Sequence, residues 1–128
     1  QQALQSKADE FVAHAQRYNN VTVVAESVSA LEAKDLRPMA LDVRNRLGNE
    51  SAVVILISST GDKVPFVVSA NERATDHGIN ANSLVKMIGQ SVDGRGGGKP
   101  DMAQGSGSDA TGISRALDAV LDDLKKQG

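Results

Sequence analysis

The apolar run at residues 51–59 (SAVVILISS) most limits what this chain can fold into. Its apolar residues do not alternate with polar ones, which is typical of a central strand buried on both faces. Thr60-Gly61-Asp62 predicts a tight turn, and residues 63–69 (KVPFVVS) then predict a second strand that completes a β-hairpin. Because Pro65 has no backbone N–H, we expect one side of this second strand to lie near a sheet edge.

A further strand and three helices are predicted around that hairpin. The strand is the β-branched run at residues 21–26 (VTVVAE), followed by a loop. The helices are predicted from apolar residues at helical spacing over about 36–47, 81–92 and 110–126. Asp35 is the expected N-cap of the first of these helices, because it places Pro38 in the first turn, where a missing N–H costs little. Residues 71–80 are polar and irregular in pattern.

The N-terminal segment has a different character. Residues 3–18 predict a helix that Asn19-Asn20 ends, with a thin, alanine-rich apolar stripe made of Leu4, Ala8, Phe11, Ala15 and Tyr18. We therefore divide the chain into residues 1–19, the end of a helical or coiled-coil-like portion, and a globular domain at 20–128. The expected fold class is α/β (α+β-like), in the order β-α-β-β-α-loop-α after the first helix.

Composition excludes several classes of function. The chain has no cysteine, which rules out disulfides, thiolate zinc sites and cysteine nucleophiles. Its net charge of −2 and aromatic content of 2% argue against a broad basic field and against a base-stacking platform. Neither His14 nor His77 has a partner at zinc-site spacing. We expect no catalytic residue, metal site or membrane span, and a cytoplasmic location.

Residues 94–109 (GRGGGKPDMAQGSGSD) are the most unusual stretch. They are not a P-loop, because Pro100 follows Lys99 where such a loop needs Ser or Thr. Two interpretations stay open. Glycines with positive φ could turn backbone N–H groups toward an anion, with Arg95 and Lys99 adding charge. Alternatively, the glycines could serve a tight structural crossing.

This stretch resembles the signature near the C-terminus of alanyl-tRNA synthetases, in the domain called DHH-associated. Two further segments, 35–48 (DLRPMALDVRNRLG) and 82–90 (NSLVKMIGQ), are similar to helices of that family. The resemblance covers roughly residues 20–128. Asp93 stands where the family usually has glycine, and Gly105-Ser106-Gly107 replaces a more common Ala-Gly-Gly.

The resemblance implies a non-catalytic C-terminal domain of a cytoplasmic alanine–tRNA ligase. Such a domain would bind the outer corner of tRNA(Ala), where the D- and T-loops meet, and would support aminoacylation and editing. It would carry no cofactor itself, whereas the parent enzyme would use ATP, Mg and Zn. The expected tRNA-binding residues are Lys86, Arg95, Gly96, Gly97, Gly98, Lys99 and Gln104.

Other assignments stay open beside this one. Arg44 and Arg46 are second-rank candidates for tRNA contact, and Met102 and Ala103 are expected in the core. The domain could instead be a dimerisation module, with the N-terminal stripe and Phe11 in the interface. It could also be a generic nucleic-acid binder with no preference for folded tRNA.

Overall fold

A computed structural model describes residues 2–18, 20–48 and 50–126, with side chains from Ala8 onward. Within these residues, six strands form one sheet in the order β1-β2-β3-β4-β6-β5. The elements in chain order are α1 (Gln2–Ala13), β1 (Gln16–Tyr18), β2 (Val21–Ser29), α2 (Ala33–Arg46), β3 (Ala52–Ser59), β4 (Val64–Ala70), α3 (Glu72–Asp76), α4 (Ala81–Ser91), β5 (Arg95–Gly98), β6 (Met102–Gly107) and α5 (Ile113–Lys126).

The apolar run forms the middle of this sheet, as predicted. β3 pairs in parallel with β2 and antiparallel with β4. The six apolar residues from Ala52 to Ile57 are all 0% exposed. The parallel pair is joined by α2, since a crossover between parallel strands must pass over a face of the sheet. The mixed α/β fold class is confirmed.

Two apolar layers lie on opposite faces of the sheet. Alternate residues of β3 serve different layers, because successive side chains of a strand point to opposite faces. Ile55 belongs to the layer that α4 and α5 complete, and Leu56 belongs to the layer that α1 and α2 complete. Each fully buried aliphatic side chain contributes about 1.5–3 kcal/mol relative to exposure. Because many such aliphatic side chains are buried here, the core can be stable with few aromatic residues.

The start of α2 differs from the prediction. The helix begins at Ala33 with Glu32 as its N-cap, and Glu32 makes no side-chain capping bond. Asp35 is therefore not the cap but an acidic residue of the first turn, where it suits the helix dipole. Pro38 lies inside the helix. Its lost hydrogen bond is offset because the surrounding residues bury a full apolar face on the sheet.

The N-terminal helix is shorter than predicted. It ends at Ala13, and residues 16–18 form the edge strand β1, which pairs with β2. Phe11 is 5% exposed and packs in the layer of α2, so the stripe is clamped to the core rather than projecting. The side chain of Leu4 and the whole of Asn19 lie outside the described residues. The division of the chain near residue 19 stays a prediction.

Three smaller expectations were wrong. β4 is an interior strand between β3 and β6, and Pro65 is tolerated because the registered pairs with β3 end at Phe66. β2 continues to Ser29, where a loop was expected. The polar segment after β4 contains α3, capped by the Asn71 side chain, which accepts from the Ala74 N–H at 2.9 Å. No helix in the described parts of the chain has the length and apolar character needed to cross a membrane.

Candidate nucleic-acid interface

The glycine-rich stretch is a β-hairpin and not the loop that the sequence predicts. β6 pairs with β4 along its whole length, and β5 pairs with β6 at the edge of the sheet. The turn between them is closed by the Lys99 N–H, which donates to the Met102 carbonyl at 2.8 Å. Pairing with the sheet thus gives this segment an order that its glycines alone would not favour.

Most hairpin glycines are explained by close packing. The described glycines with positive φ are Gly48, Gly61 and Gly78, none of them in the hairpin, so the expected cradle of positive-φ glycines is not formed. A Cβ on Gly96 would instead lie 2.6 Å from Cγ1 of Val85, which belongs to α4. A Cβ on Gly98 would lie 2.8 Å from the Cα of Ala103. These glycines let α4 and β6 approach β5.

Gly97 differs from its neighbours. The one group within 4 Å of a Cβ placed there is Oδ1 of Asn82, at 3.1 Å. Gly97 pairs directly with Gln104 and shares its face of the sheet. Its missing side chain therefore leaves the backbone open beside Gln104.

Three hydrogen bonds hold the tip of the hairpin. The Gly98 N–H donates to Oδ1 of Asn82 at 3.1 Å. The Ala81 N–H donates to the Pro100 carbonyl at 2.8 Å, and the Ala70 N–H donates to the Asp101 carbonyl at 2.9 Å. The tip is therefore tied to the start of α4 and the end of β4. Asn82 was not among the predicted site residues, because nothing local distinguishes it from an ordinary polar residue of a first helical turn.

The structure gathers the predicted polar residues around this hairpin. Arg95 and Gln104 are exposed and lie on one face, because Arg95 pairs with Ser106, two residues from Gln104. Lys99 is exposed in the turn. Lys86 is exposed on α4 one helical turn after Asn82, and so lies along the outer side of β5.

The positive charges of this group are available to a ligand. Among the ion pairs of the described residues, none involves Lys86, Arg95 or Lys99. Asp93 precedes the hairpin, and its carboxylate accepts a long hydrogen bond of 3.4 Å from Oγ of Ser108. Asp93 therefore lowers the local positive potential without pairing with Arg95.

The two second-rank arginines, Arg44 and Arg46, lie on opposite sides of α2. Nη1 of Arg44 donates to Oγ of Ser69 on β4 at 3.2 Å. Arg46 points the other way, where it pairs with Asp9 of α1 and with Asp42. The hydrogen bond to Asp42 raises the pKa of Arg46. Arg46 thus serves helix packing, whereas Arg44 faces the outer part of the sheet.

Of the two residues expected in the core, Ala103 is buried and Met102 is only half-buried. Ala103 is 1% exposed and belongs to the layer of α4, as predicted. Met102 is half-buried at the rim of the layer that α2 completes. β6 therefore closes one layer and only borders the other.

One serine–histidine contact does not form a catalytic pair. Nδ1 of His77 lies 2.9 Å from Oγ of Ser51 and 2.8 Å from the carbonyl oxygen of Arg73. A carbonyl can only accept, so Nδ1 carries the proton and cannot remove one from Ser51. Across the described residues, no group of three or more His, Cys, Asp or Glu side chains is placed to hold a metal ion.

Known proteins match both the sequence and the fold. The model of the DHHA1 domain matches residues 20–126. Alanine–tRNA ligase of Corynebacterium jeikeium is 51% identical over 125 residues, and that of Mycobacterium avium is 52% identical over 112 residues. These matches cover 97% and 86% of this chain but only 14% and 12% of the two ligases, so the chain spans a small part of their length.

A solved structure gives the same result. The C-Ala domain of alanyl-tRNA synthetase from Aquifex aeolicus superposes with a TM-score of 0.78 at 27% identity, over 87% of this chain and 97% of that one. The resemblance inferred from the glycine-rich signature is confirmed. The chain belongs to the DHHA1 domain family, as a domain of the C-Ala type found in alanyl-tRNA synthetase.

Proposed function

We propose that this chain is the non-catalytic, tRNA-binding C-terminal part of a cytoplasmic alanine–tRNA ligase. It binds the outer corner of tRNA(Ala), where the D- and T-loops meet, and so supports aminoacylation and editing by the rest of the enzyme. ATP, Mg and Zn would act in those other parts. The observation that carries the proposal is the edge hairpin, which exposes Arg95 and Gln104 on its strands and Lys99 in its turn. Neither Arg95 nor Lys99 forms an ion pair with the residues that the structure describes.

The chemistry of the hairpin suits folded RNA. RNA helices offer phosphates, 2′-hydroxyls and shape, and RNA loops offer exposed base edges. Arg95 can bind a phosphate through two N–H groups, and Lys99 adds a point charge. Gln104 can both donate to and accept from a ribose or a base edge. Gly97 leaves room for the RNA backbone, and Lys86 extends the positive charge along the outer side of β5.

The hairpin is also held in place before binding. Its tip is fixed by the Asn82 side chain and by two backbone hydrogen bonds. A site that is ordered in advance loses less conformational entropy when a ligand binds. Modest affinity can therefore arise from a few charged contacts, even though the chain carries a net charge of −2.

The test is a fluorescence-anisotropy titration of the 128-residue chain with transcribed tRNA(Ala) and with an unfolded RNA of equal length. The Arg95→Ala/Lys99→Ala variant should bind tRNA about tenfold more weakly. Its plot of log K against log salt should be shallower by about 1.4, or 0.7 for each lost phosphate contact. Arg115→Ala/Lys126→Ala is the matched control, since it removes the same charges from α5.

Three results would contradict the proposal. Equal affinity for folded and unfolded RNA would indicate a generic nucleic-acid binder. Equal weakening by the hairpin variant and the α5 control would indicate a response to net charge alone. Undetectable binding of tRNA would show that the isolated chain does not have the proposed function.

Dimerisation has less support than tRNA binding. Phe11, the residue expected in a dimer interface, packs inside the chain. Among the described side chains, no large hydrophobic residue is exposed. A homodimer of this domain would therefore need a polar interface.

A further inference from the structure

The outer part of the sheet is open on the side of α2. This helix packs on β3 and β4, and the apolar layer that it completes ends at Met102. Beyond that rim, Gln104 and Ser106 of β6 are exposed on the same face. No helix covers this face in the described residues, although α4 covers the opposite one.

One side of α2 borders this open face. Arg44 marks that side through its hydrogen bond to Ser69 of β4. Arg37 lies seven residues earlier, about two turns, so it shares the side of Arg44 and stands about 10 Å along the helix. Arg46 lies on the opposite side, where it pairs with Asp9 of α1. Arg37 is exposed and enters no ion pair with the described residues.

The strand register sets these arginines opposite the hairpin cations. α2 runs antiparallel to β3, which it precedes in a parallel crossover, and therefore runs alongside β4 in the same direction. The end of β4 at Ser69 pairs with Met102, next to the turn of Lys99. The start of β4 at Pro65 pairs with Ser106, which pairs with Arg95. Arg44 is thus level with Lys99, and Arg37 is level with Arg95.

These residues outline a trough. Its floor is β6, with Met102, Gln104 and Ser106. On one side α2 borders this floor, and on the other side lie the exposed side chains of Arg95 on β5 and of Lys99 in the turn. The distance from β4 to β5 is two strand spacings, or about 10 Å. At one end, a cleft of about 550 Å³ separates Arg44 from Pro100 and Asp101. Acidic residues, Glu72 and Asp101, also line this cleft and lower the positive potential at this end. Asp93 has the same effect beside Arg95 at the other end.

We propose that this trough holds a single strand of RNA backbone, with Arg37 and Arg44 on α2 facing Arg95 and Lys99 on the hairpin. The inference rests on the proposed function and adds a second wall to its site. Its width suits one row of phosphates between two rows of cations, and a positively charged groove is how proteins follow a single strand. The loops at the outer corner of a tRNA supply such strands. Gln104 on the floor then faces riboses or base edges.

The experiment extends the titration with tRNA(Ala) to an α2 variant. In Arg37→Gln/Arg44→Gln, the glutamine at position 44 keeps a donor for Ser69. We expect binding about tenfold weaker and a salt slope shallower by about 1.4, as for Arg95→Ala/Lys99→Ala. The quadruple variant should lose about 2.8 from the slope. Arg115→Ala/Lys126→Ala again serves as the control on α5.

The outcomes separate the two proposals. Weakening by both pairs of substitutions, with the α5 control unchanged, supports the trough. Weakening by the hairpin pair alone leaves RNA on the edge of β5 and overturns the trough but not the hairpin site. No specific weakening by either pair overturns both. If thermal melting shows that the α2 variant is unfolded, Arg37→Glu replaces it, because this exposed side chain forms no ion pair within the described part of the chain. Unchanged affinity for Arg37→Glu overturns the trough.

Discussion

The inner half of the sheet, β2 to β4, and the outer half, β6 and β5, differ in how they are packed. β2, β3 and β4 have helices on both faces and consist mostly of Val, Ile, Leu and Ala. β6 and β5 have α4 on one face and no described helix on the other, and they consist mostly of glycine and polar residues. Within the hairpin, glycines such as Gly96 and Gly105 meet α4 and neighbouring backbone, whereas Arg95 and Gln104 face the open side. A single glycine-rich segment thus combines a packing face with an open face that carries polar side chains.

The largest expected effect comes from adding one methyl group to the packing face. In Gly105→Ala, the new Cβ would lie 2.6 Å from the Cα of Gly96 and 2.8 Å from Cε2 of Phe66. Both neighbours belong to the sheet and cannot move without disturbing strand pairing. We expect a loss of about 2–3 kcal/mol in the free energy of unfolding, as for other overpacked sites. Urea unfolding followed by circular dichroism measures it.

Gly97→Ala is the matched control on the open face. Its new methyl group meets only the Asn82 side chain, which can shift, so the loss should stay below about 1 kcal/mol. Similar losses in the two variants would show that the faces of the hairpin do not differ in packing.

A substitution at Asp93, between α4 and the hairpin, should change the free energy of unfolding less and in the opposite direction. Asp93 has a φ of 54°, a left-handed conformation that glycine adopts without steric cost. The resemblance noted in the sequence implies glycine at this position, and a φ of 54° is consistent with that expectation. Asp93→Gly removes the backbone strain, but it also removes the long hydrogen bond from Ser108. In addition, glycine raises the conformational entropy of the unfolded chain, which opposes folding. We expect a net gain of about 0.5 kcal/mol in urea unfolding.

Asp93→Ala separates strain from charge. It removes the carboxylate but keeps a Cβ at positive φ, so it should be less stable than the wild type. A gain in stability with alanine would mean that the carboxylate, not the backbone conformation, is unfavourable at this position.

The sequence predicts the inner half of the sheet far better than the outer half. The unbroken apolar run of β3 and the helical spacing of α4 and α5 follow directly from burial, so both positions and types are correct. At the hairpin the sequence predicts a loop, because glycine has low strand propensity. Its strands depend on pairing with β4 and on contact with α4, which are tertiary effects. No local pattern records them.

The candidate site shows the same limit. The charges beside the glycines already indicate Arg95 and Lys99, and the resemblance adds Gln104. Only the register of β5, β6 and β4 shows which residues of the hairpin share a face. Arg37 was overlooked because an exposed arginine on a helix usually does no more than face solvent. Its position becomes informative once α2 is known to run alongside β4 in the same direction.

The smallest expected effect on stability concerns Glu26, a partly buried carboxylate in the inner half of the sheet. Glu26 lies on β2 beside a cavity of about 70 Å³ that it lines with His14 and Gln16. Burial raises the pKa of Glu26, attraction to His14 lowers it, and repulsion from Glu10 raises it, with a net rise. The folded state therefore binds this proton more tightly than the unfolded state does. The stabilisation is present below the unfolded pKa and is lost as the pH rises through the folded one.

Glu26→Gln should consequently raise the melting temperature at pH 7, because glutamine never pays the cost of a partly buried carboxylate. Solvent still reaches the group, so the gain should be at most about 3 °C. It should disappear near pH 4, where the wild-type side chain is protonated in the fold. Differential scanning fluorimetry at both pH values measures it. An equal gain at pH 4 would assign the effect to packing rather than charge, and a loss at pH 7 would mean that attraction to His14 outweighs burial.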